Sequence, residues 1–174
     1  MTTEISKHNT IPRKERLIVA LDVPSAEEAK KLVETLGDAV CFYKIGLELF
    51  TAGGYFEMLE WLVRRGKKVF VDLKFFDVPE TVRAAVRGLR NRGVTFVTVH
   101  GNQAMLEAAG RDKGELKILA VTVLTSLDRG DLDDLGFDCD VERLVLSRAR
   151  RALQAGCDGV ISSGLEAPAL KQEL

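Results

Sequence analysis

The sequence predicts an α/β protein, a (β/α)8 TIM barrel of which about six strand–helix units are present. Three observations predict it. Short apolar runs alternate with stretches of helical periodicity from Leu17 onward, which implies a parallel sheet with right-handed crossovers. The runs are almost continuously apolar, as strands covered on their outer face are. Polar residues gather at their C-terminal ends, at Asp22, Lys44, Asp72 with Lys74, His100, and Thr125 with Ser126. Barrel enzymes keep their chemistry there. A doubly wound sheet fits the first two observations, but no G-x-G-x-x-G follows the first run, so its dinucleotide-binding version loses support.

At 174 residues and 46% hydrophobic content, one main domain is expected. The expected division is an N-terminal arm at residues 1–15, polar and mixed in charge, and a barrel domain at 16–174. The 25 basic and 26 acidic residues are well mixed and leave a net charge of -1, which argues against nucleic acid or an anionic membrane as partner. Cys41, Cys139 and Cys157 are odd in number and widely spaced, and a reducing, cytoplasmic compartment is the simplest reading. No apolar run approaches the ~20 residues of a membrane span.

The elements follow in order. Residues 16–21 read as the first strand, ending at Asp22-Val23-Pro24. Ser25 with Glu28 makes a capping box, and Ala29, Leu32, Val33 and Leu36 recur at helical spacing until Gly37. Residues 40–43 are the second strand, ending at Lys44. A helix over about residues 47–65 follows, with Gly53 and Gly54 suggesting an irregular start and Trp61 a packing anchor. Residues 69–73 are the third strand, and Val78, Val82, Ala85, Val86 and Leu89 mark the next helix, which Gly93 ends. Residues 94–99 lead to His100-Gly101-Asn102 and a short helix through Met105, Leu106 and Ala109. Residues 116–124 are the fifth strand. The acidic stretch 128–140 lacks calcium-loop spacing and reads as a solvated loop. The next helix carries Val141, Leu144, Val145, Ala149 and Leu153, with Arg148, Arg150 and Arg151 read as its surface. Residues 159–161 are the sixth strand, and Ser163 with Glu166 is expected to cap a last helix. That helix reaches Leu174 without glycine, basic last turn or proline. The chain therefore reads as cut short of the ~250 residues of eight units.

The densest chemistry lies in Asp72-Leu73-Lys74-Phe75-Phe76-Asp77-Val78-Pro79-Glu80-Thr81. Strand alternation puts Asp72 and Lys74 on one face, about 6.6 Å apart along the backbone. A carboxylate and an ammonium inside an apolar strand are costly unless paired or solvated. A site explains their presence better than structure alone, with a buried ion pair as the plain alternative. Asp77 stands three residues before Glu80 with Pro79 between, which is also the pattern of a helix-capping aspartate, and both roles can coexist at a strand end. Asp22, Lys44, Asp72, Lys74 and Asp77 together form alternating charges on three successive strand ends. Such an array suits a polyhydroxylated anion, and a positioned ammonium suits protonation of a carbanion.

Asp72-x-Lys74-x-x-Asp77-x-Pro79-x-Thr81 resembles the signature of the orotidine 5′-phosphate decarboxylase family. Leu21-Asp22-Val23-Pro24, Phe42-Tyr43-Lys44-Ile45-Gly46, Val99-His100-Gly101 and Val123-Leu124-Thr125-Ser126 match as well, so the likeness runs over residues 17–163. D-x-K-x-x-D alone is shared with sugar-phosphate decarboxylases of the same superfamily; Pro79, Thr81 and L-D-V-P narrow it. The resemblance implies decarboxylation of orotidine 5′-monophosphate to UMP without metal or organic cofactor. It implies that Lys74 protonates C6 and that Asp72 faces the departing carboxylate. Asp77 and Thr81 would reach into the neighbouring subunit's site of a homodimer. Asp22 and Lys44 would hold ribose hydroxyls, and Thr125 and Ser126 would address the pyrimidine. Phosphate contacts would come from units seven and eight, including an arginine and a closing loop, so low activity is expected of a chain lacking them.

Two alternatives stand beside this reading. A magnesium-dependent sugar-phosphate decarboxylase or aldolase would present further carboxylates, and no Glu ends the first four strands. A catalytically silent, dimeric fragment of the fold is the other. His100 reads as a hydrogen-bonded wall residue.

Overall fold

The computed structural model describes residues 11–174; the first ten residues of the expected arm lie outside the described residues. These residues fall into two compact units, one ending at Lys68 and one spanning Val69–Leu174.

In the first unit, Arg13–Glu15 form a single 3-10 turn, and Glu15 pairs with Lys68 at 2.5 Å. The turn lies in the expected arm, its C-cap Arg16 is the first residue of the expected strand 16–21, and within that span β1 is only Val19–Ala20. Val19 and Ala20 pair in parallel with Tyr43 and Lys44 of β2 (Phe42–Gly46), and the Leu21 N–H donates to the Lys44 carbonyl at 2.9 Å. Between them, the Ser25 hydroxyl accepts the Glu28 N–H and starts α1 (Ala26–Leu36). The expected helix over 47–65 is two helices, α2 (Leu47–Ala52) and α3 (Tyr55–Arg64). Gly53 and Gly54 adopt φ of +87° and +71°, a region where side chains with a Cβ clash, so the helix breaks outright. Tyr55, Met58, Leu59 and Leu62 form the buried face of α3 at i, i+3, i+4, i+7 spacing. The Tyr55 hydroxyl donates to the Ile45 carbonyl at 3.1 Å, tying α3 to β2. Trp61 is half-buried under the Arg65 guanidinium, 3.7 Å from its ring centroid.

In the second unit, β3 (Lys68–Phe75), β4 (Phe96–His100), β5 (Lys117–Val121) and β6 (Gly159–Ile161) pair in sequence order, every pair parallel. Helix α4 (Pro79–Leu89) buries Val82, Val86 and Leu89, again at helical spacing. Helix α5 (Gln103–Arg111) is capped by Asn102, whose side chain accepts the Met105 N–H. The acidic stretch is not wholly loop. Arg129–Asp134 is helix α6, started by a reciprocal capping box between Asp128 and Asp131, and Leu132 anchors it in the core. Helix α7 (Val141–Gln154) buries Leu144, Val145, Ala149 and Ala152. Helix α8 (Ala167–Glu173) begins at Glu166, not at Ser163: the Ser163 hydroxyl donates to the Glu166 carboxylate and accepts the Leu165 N–H. Its oxygen is thus spent on the turn before the helix, and no side chain caps α8.

Candidate active site

Residues singled out in the sequence form two groups, one in each unit. In the first, β2 carries Lys44 in register with Ala20, two residues before Asp22. The Lys44 ammonium donates to both Asp22 oxygens, at 3.0 and 3.3 Å. Lys44 is mostly covered while Asp22 is half exposed, so the pair presents a solvated carboxylate above a fixed cation.

In the second unit, the Lys74 ammonium donates to Asp72 Oδ2 at 2.9 Å. Regular alternation does not bring this about. Val71 pairs with Val97 and Phe75 with Val99, so β3 spends four residue steps where β4 spends two. Leu73 and Lys74 bulge out of the ladder, and Lys74 has φ of +48°, the one positive φ outside glycine among the described residues. Such a conformation costs of order 1–3 kcal/mol and persists only where its surroundings impose it. Here the imposing group is Thr98, fully buried on β4. Its hydroxyl accepts the Lys74 N–H at 2.9 Å and donates to Asp72 Oδ1 at 2.9 Å. Both Asp72 oxygens are therefore engaged, while the Lys74 side chain stays one-third exposed. A carboxylate fixed on both sides can orient an ammonium that still reaches solvent.

Asp77 and Thr81 are exposed, and with Lys74 they line a shallow depression of about 310 Å³ beside β3. Asp77 does not cap α4. Its Oδ1 accepts the N–H of the next residue, Val78, at 2.6 Å; Val78 is the N-cap and Pro79 opens the helix. Asp77 is thus free of the helix start and faces outward. Thr125 and Ser126 are exposed in the turn after β5, closed by the Leu127 N–H on the Leu124 carbonyl at 2.9 Å.

His100 ends β4 as expected, half-buried and edge-on to Phe76 with ring centroids 5.3 Å apart. Its Nδ1 is buried and has no hydrogen-bond partner among the described residues, so the hydrogen-bonded wall residue expected from the sequence is not found at that nitrogen. Burial, then the positive charges of Arg148 and Lys74, hold its imidazole below the usual value of 6.5. Gly101 beyond it has φ of +139°, and a Cβ there would lie 2.7 Å from Met105, which accounts for the glycine in Val99-His100-Gly101. Arg148 is no surface residue. It sits half-buried over the Phe137 ring and donates to the Thr122 carbonyl at 2.7 Å, and burial lowers its proton affinity. Its place on the Leu144, Val145, Ala149 face of α7 was readable from helical spacing. Thr98, which bonds both the Lys74 N–H and Asp72, is the residue of this group that spacing passed over.

The matching family model is described as the orotidine 5′-phosphate decarboxylase / HUMPS family and spans residues 15–174. The chain belongs to this family. It is 68% identical over 164 residues to the orotidine 5′-phosphate decarboxylase of Methylococcus capsulatus, covering 94% of this chain and 68% of that protein. The Nitrobacter winogradskyi protein of the same name is 48% identical, covering 95% of this chain and 69% of that one. A crystal structure of orotidine 5′-phosphate decarboxylase from Lactobacillus acidophilus matches with TM-score 0.83 and 37% identity, over 90% of this chain and 75% of that one. The fold class is therefore that of these (β/α)8 barrels, with six units in the sequence given.

Proposed function

We infer that the chain decarboxylates orotidine 5′-monophosphate to UMP in pyrimidine biosynthesis. The observation that carries this reading is the Lys74 ammonium, held 2.9 Å from Asp72 at the C-terminal end of β3 within D-x-K-x-x-D. In the reaction the bond from C6 to its carboxylate breaks, carbon dioxide leaves, and the electron pair stays on C6. The Lys74 ammonium delivers its proton to that carbon, and the amine regains one from solvent. An ammonium already in place interacts better with a carbanion than with the substrate, and only such differential interaction accelerates the step. Asp72 faces the departing carboxylate, and their mutual repulsion is relieved as carbon dioxide forms.

Asp22 and Lys44 hold ribose hydroxyls, with the exposed Asp22 carboxylate as acceptor. Thr125 and Ser126 address the pyrimidine. Asp77 and Thr81 serve the neighbouring subunit of a homodimer. Phe76 and Val78, which flank Asp77, are 66% and 64% exposed, and apolar surface beside an outward-facing carboxylate suits a second copy of this rim. Three free thiols fit a cytoplasmic setting. Among the described residues no helix is long and apolar enough to cross a membrane. The magnesium-dependent alternative is not favoured by the names its relatives carry.

The test is turnover of orotidine 5′-monophosphate by the purified chain in EDTA, following UMP and carbon dioxide together. Equal amounts of the two products, unaffected by chelation, are expected. Turnover that stops with EDTA and returns with magnesium would move the assignment to the sugar-phosphate enzymes of the superfamily.

A further inference from the structure

We propose that Thr98 is a positioning residue for Lys74, a role that rests on the decarboxylase reading and extends it to a residue outside the D-x-K-x-x-D motif. Three hydrogen bonds of 2.9 Å form one ring: Lys74 N–H to Thr98 Oγ1, Thr98 O–H to Asp72 Oδ1, and Lys74 Nζ to Asp72 Oδ2. The hydroxyl is therefore used in both directions, as acceptor for the backbone and donor for the carboxylate, which no apolar residue and no acceptor-only residue can do.

The position of this ring decides what Thr98 does. A backbone N–H that leaves a β ladder must find another acceptor or stay unsatisfied in the interior. The bulge between Val71 and Phe75 takes the Lys74 N–H out of the β3–β4 ladder, and Thr98 Oγ1 receives it. Lys74 can then stay at φ of +48°, where its side chain turns back towards Asp72 while remaining one-third open to solvent. Thr98 is 0% exposed and paired with Leu119 in the middle of β4, so the hydroxyl is held by a strand with neighbours on both sides. Rigid strand, hydroxyl, strained lysine and carboxylate make a chain of constraints ending at the ammonium. Small misplacements of a catalytic group can cost on the order of 10²-fold in rate.

Thr98→Val keeps the shape and removes the hydroxyl; Thr98→Ser keeps the hydroxyl. With Thr98→Val we expect kcat for orotidine 5′-monophosphate to fall roughly 10- to 100-fold, with KM changed much less, and with Thr98→Ser restoring most of kcat. Amide hydrogen exchange at Lys74, followed by NMR without substrate, should quicken in Thr98→Val and return in Thr98→Ser. A Thr98→Val enzyme with wild-type kcat, or a Thr98→Ser enzyme as impaired as Thr98→Val, would overturn the proposal. Should Thr98→Val not fold, Thr98→Ser and Thr98→Ala carry the same comparison. A wild-type chain carrying all eight units that turns over no substrate contradicts the decarboxylase reading instead; the exchange measurement then decides whether Thr98 holds Lys74, and unchanged exchange in Thr98→Val overturns that too.

Discussion

Two lysine–aspartate pairs in the second unit are built from the same parts and do different work. At the N-terminal ends of β5 and β6, Asp158 Oδ2 accepts both the Lys113 ammonium and the Ile118 N–H, the latter at 2.8 Å. The Asp158 N–H in turn donates to the Ile118 carbonyl at 2.9 Å, and Lys113 also reaches the Gly156 carbonyl at 3.5 Å. The left-handed positions beside it, Gly114 and Gly156 with φ of +59° and +90°, are glycines, which adopt them without strain. At the C-terminal end of β3, Asp72 and Lys74 are joined at the expense of a bulge and a left-handed lysine. The first pair fastens two strand starts and consumes its cation in doing so. The second spends stability to hold a cation whose side chain stays partly open. We propose that the ion pair that costs backbone strain is the one with a task beyond the fold.

The comparison breaks most visibly if the strained pair can be lost without effect. Chains carrying Lys74→Ala and chains carrying Asp77→Ala are each expected to turn over at least ~10²-fold more slowly, the low end for loss of a general acid. Mixed, they should recover activity well above either parent, because one site of each heterodimer holds both native residues. No recovery, with heterodimers confirmed by native mass spectrometry, would place Asp77 in its own subunit's site and detach it from Phe76 and Val78 as interface residues.

A smaller effect sharpens the comparison through pH. His100 adjoins the strained end, and its folded proton affinity is lowered by burial first, then by Arg148 and Lys74. The unfolded chain therefore binds that proton more readily, so stability from a neutral His100 is full above the usual 6.5 and is lost as pH falls from there towards the lowered folded value. Melting temperatures of wild type and His100→Asn between pH 7 and pH 5 check this. The wild type should lose stability faster; parallel curves would show that His100 is not strained by its neighbours.

The sequence made the strained pair visible because charges inside an apolar strand have few structural excuses, and Asp72 with Lys74 do meet at 2.9 Å. It did not make the bulge visible, since alternation assumes a regular strand and puts the two side by side without any turn of the backbone. Thr98 stayed hidden for a related reason. Threonine is an ordinary strand former, and what its hydroxyl bonds depends on where the neighbouring strand departs from regularity. Composition likewise could not separate helix α6 from a solvated acidic loop, because the Asp128–Asp131 capping box is written in the same residue as the rest of that stretch. The double glycine at Gly53 and Gly54 was legible as irregularity, but only the positive φ at both made it a break.

The most direct measurement crosses the two pairs: turnover and melting temperature for Lys74→Ala and Asp158→Asn, side by side with wild type. Lys74→Ala is expected to lose turnover by at least ~10²-fold while keeping a melting temperature close to wild type, since the ammonium it removes is one-third exposed and Thr98 still bonds the residue-74 N–H and Asp72 Oδ1. Asp158→Asn is expected to keep turnover and lose about 1.5–3 kcal/mol, the range for hydrogen bonds to a charged group, which lowers melting by several degrees. A Lys74→Ala chain that melts as early as Asp158→Asn, or an Asp158→Asn chain that loses turnover as Lys74→Ala does, would contradict the division of labour between the two ends of the strands.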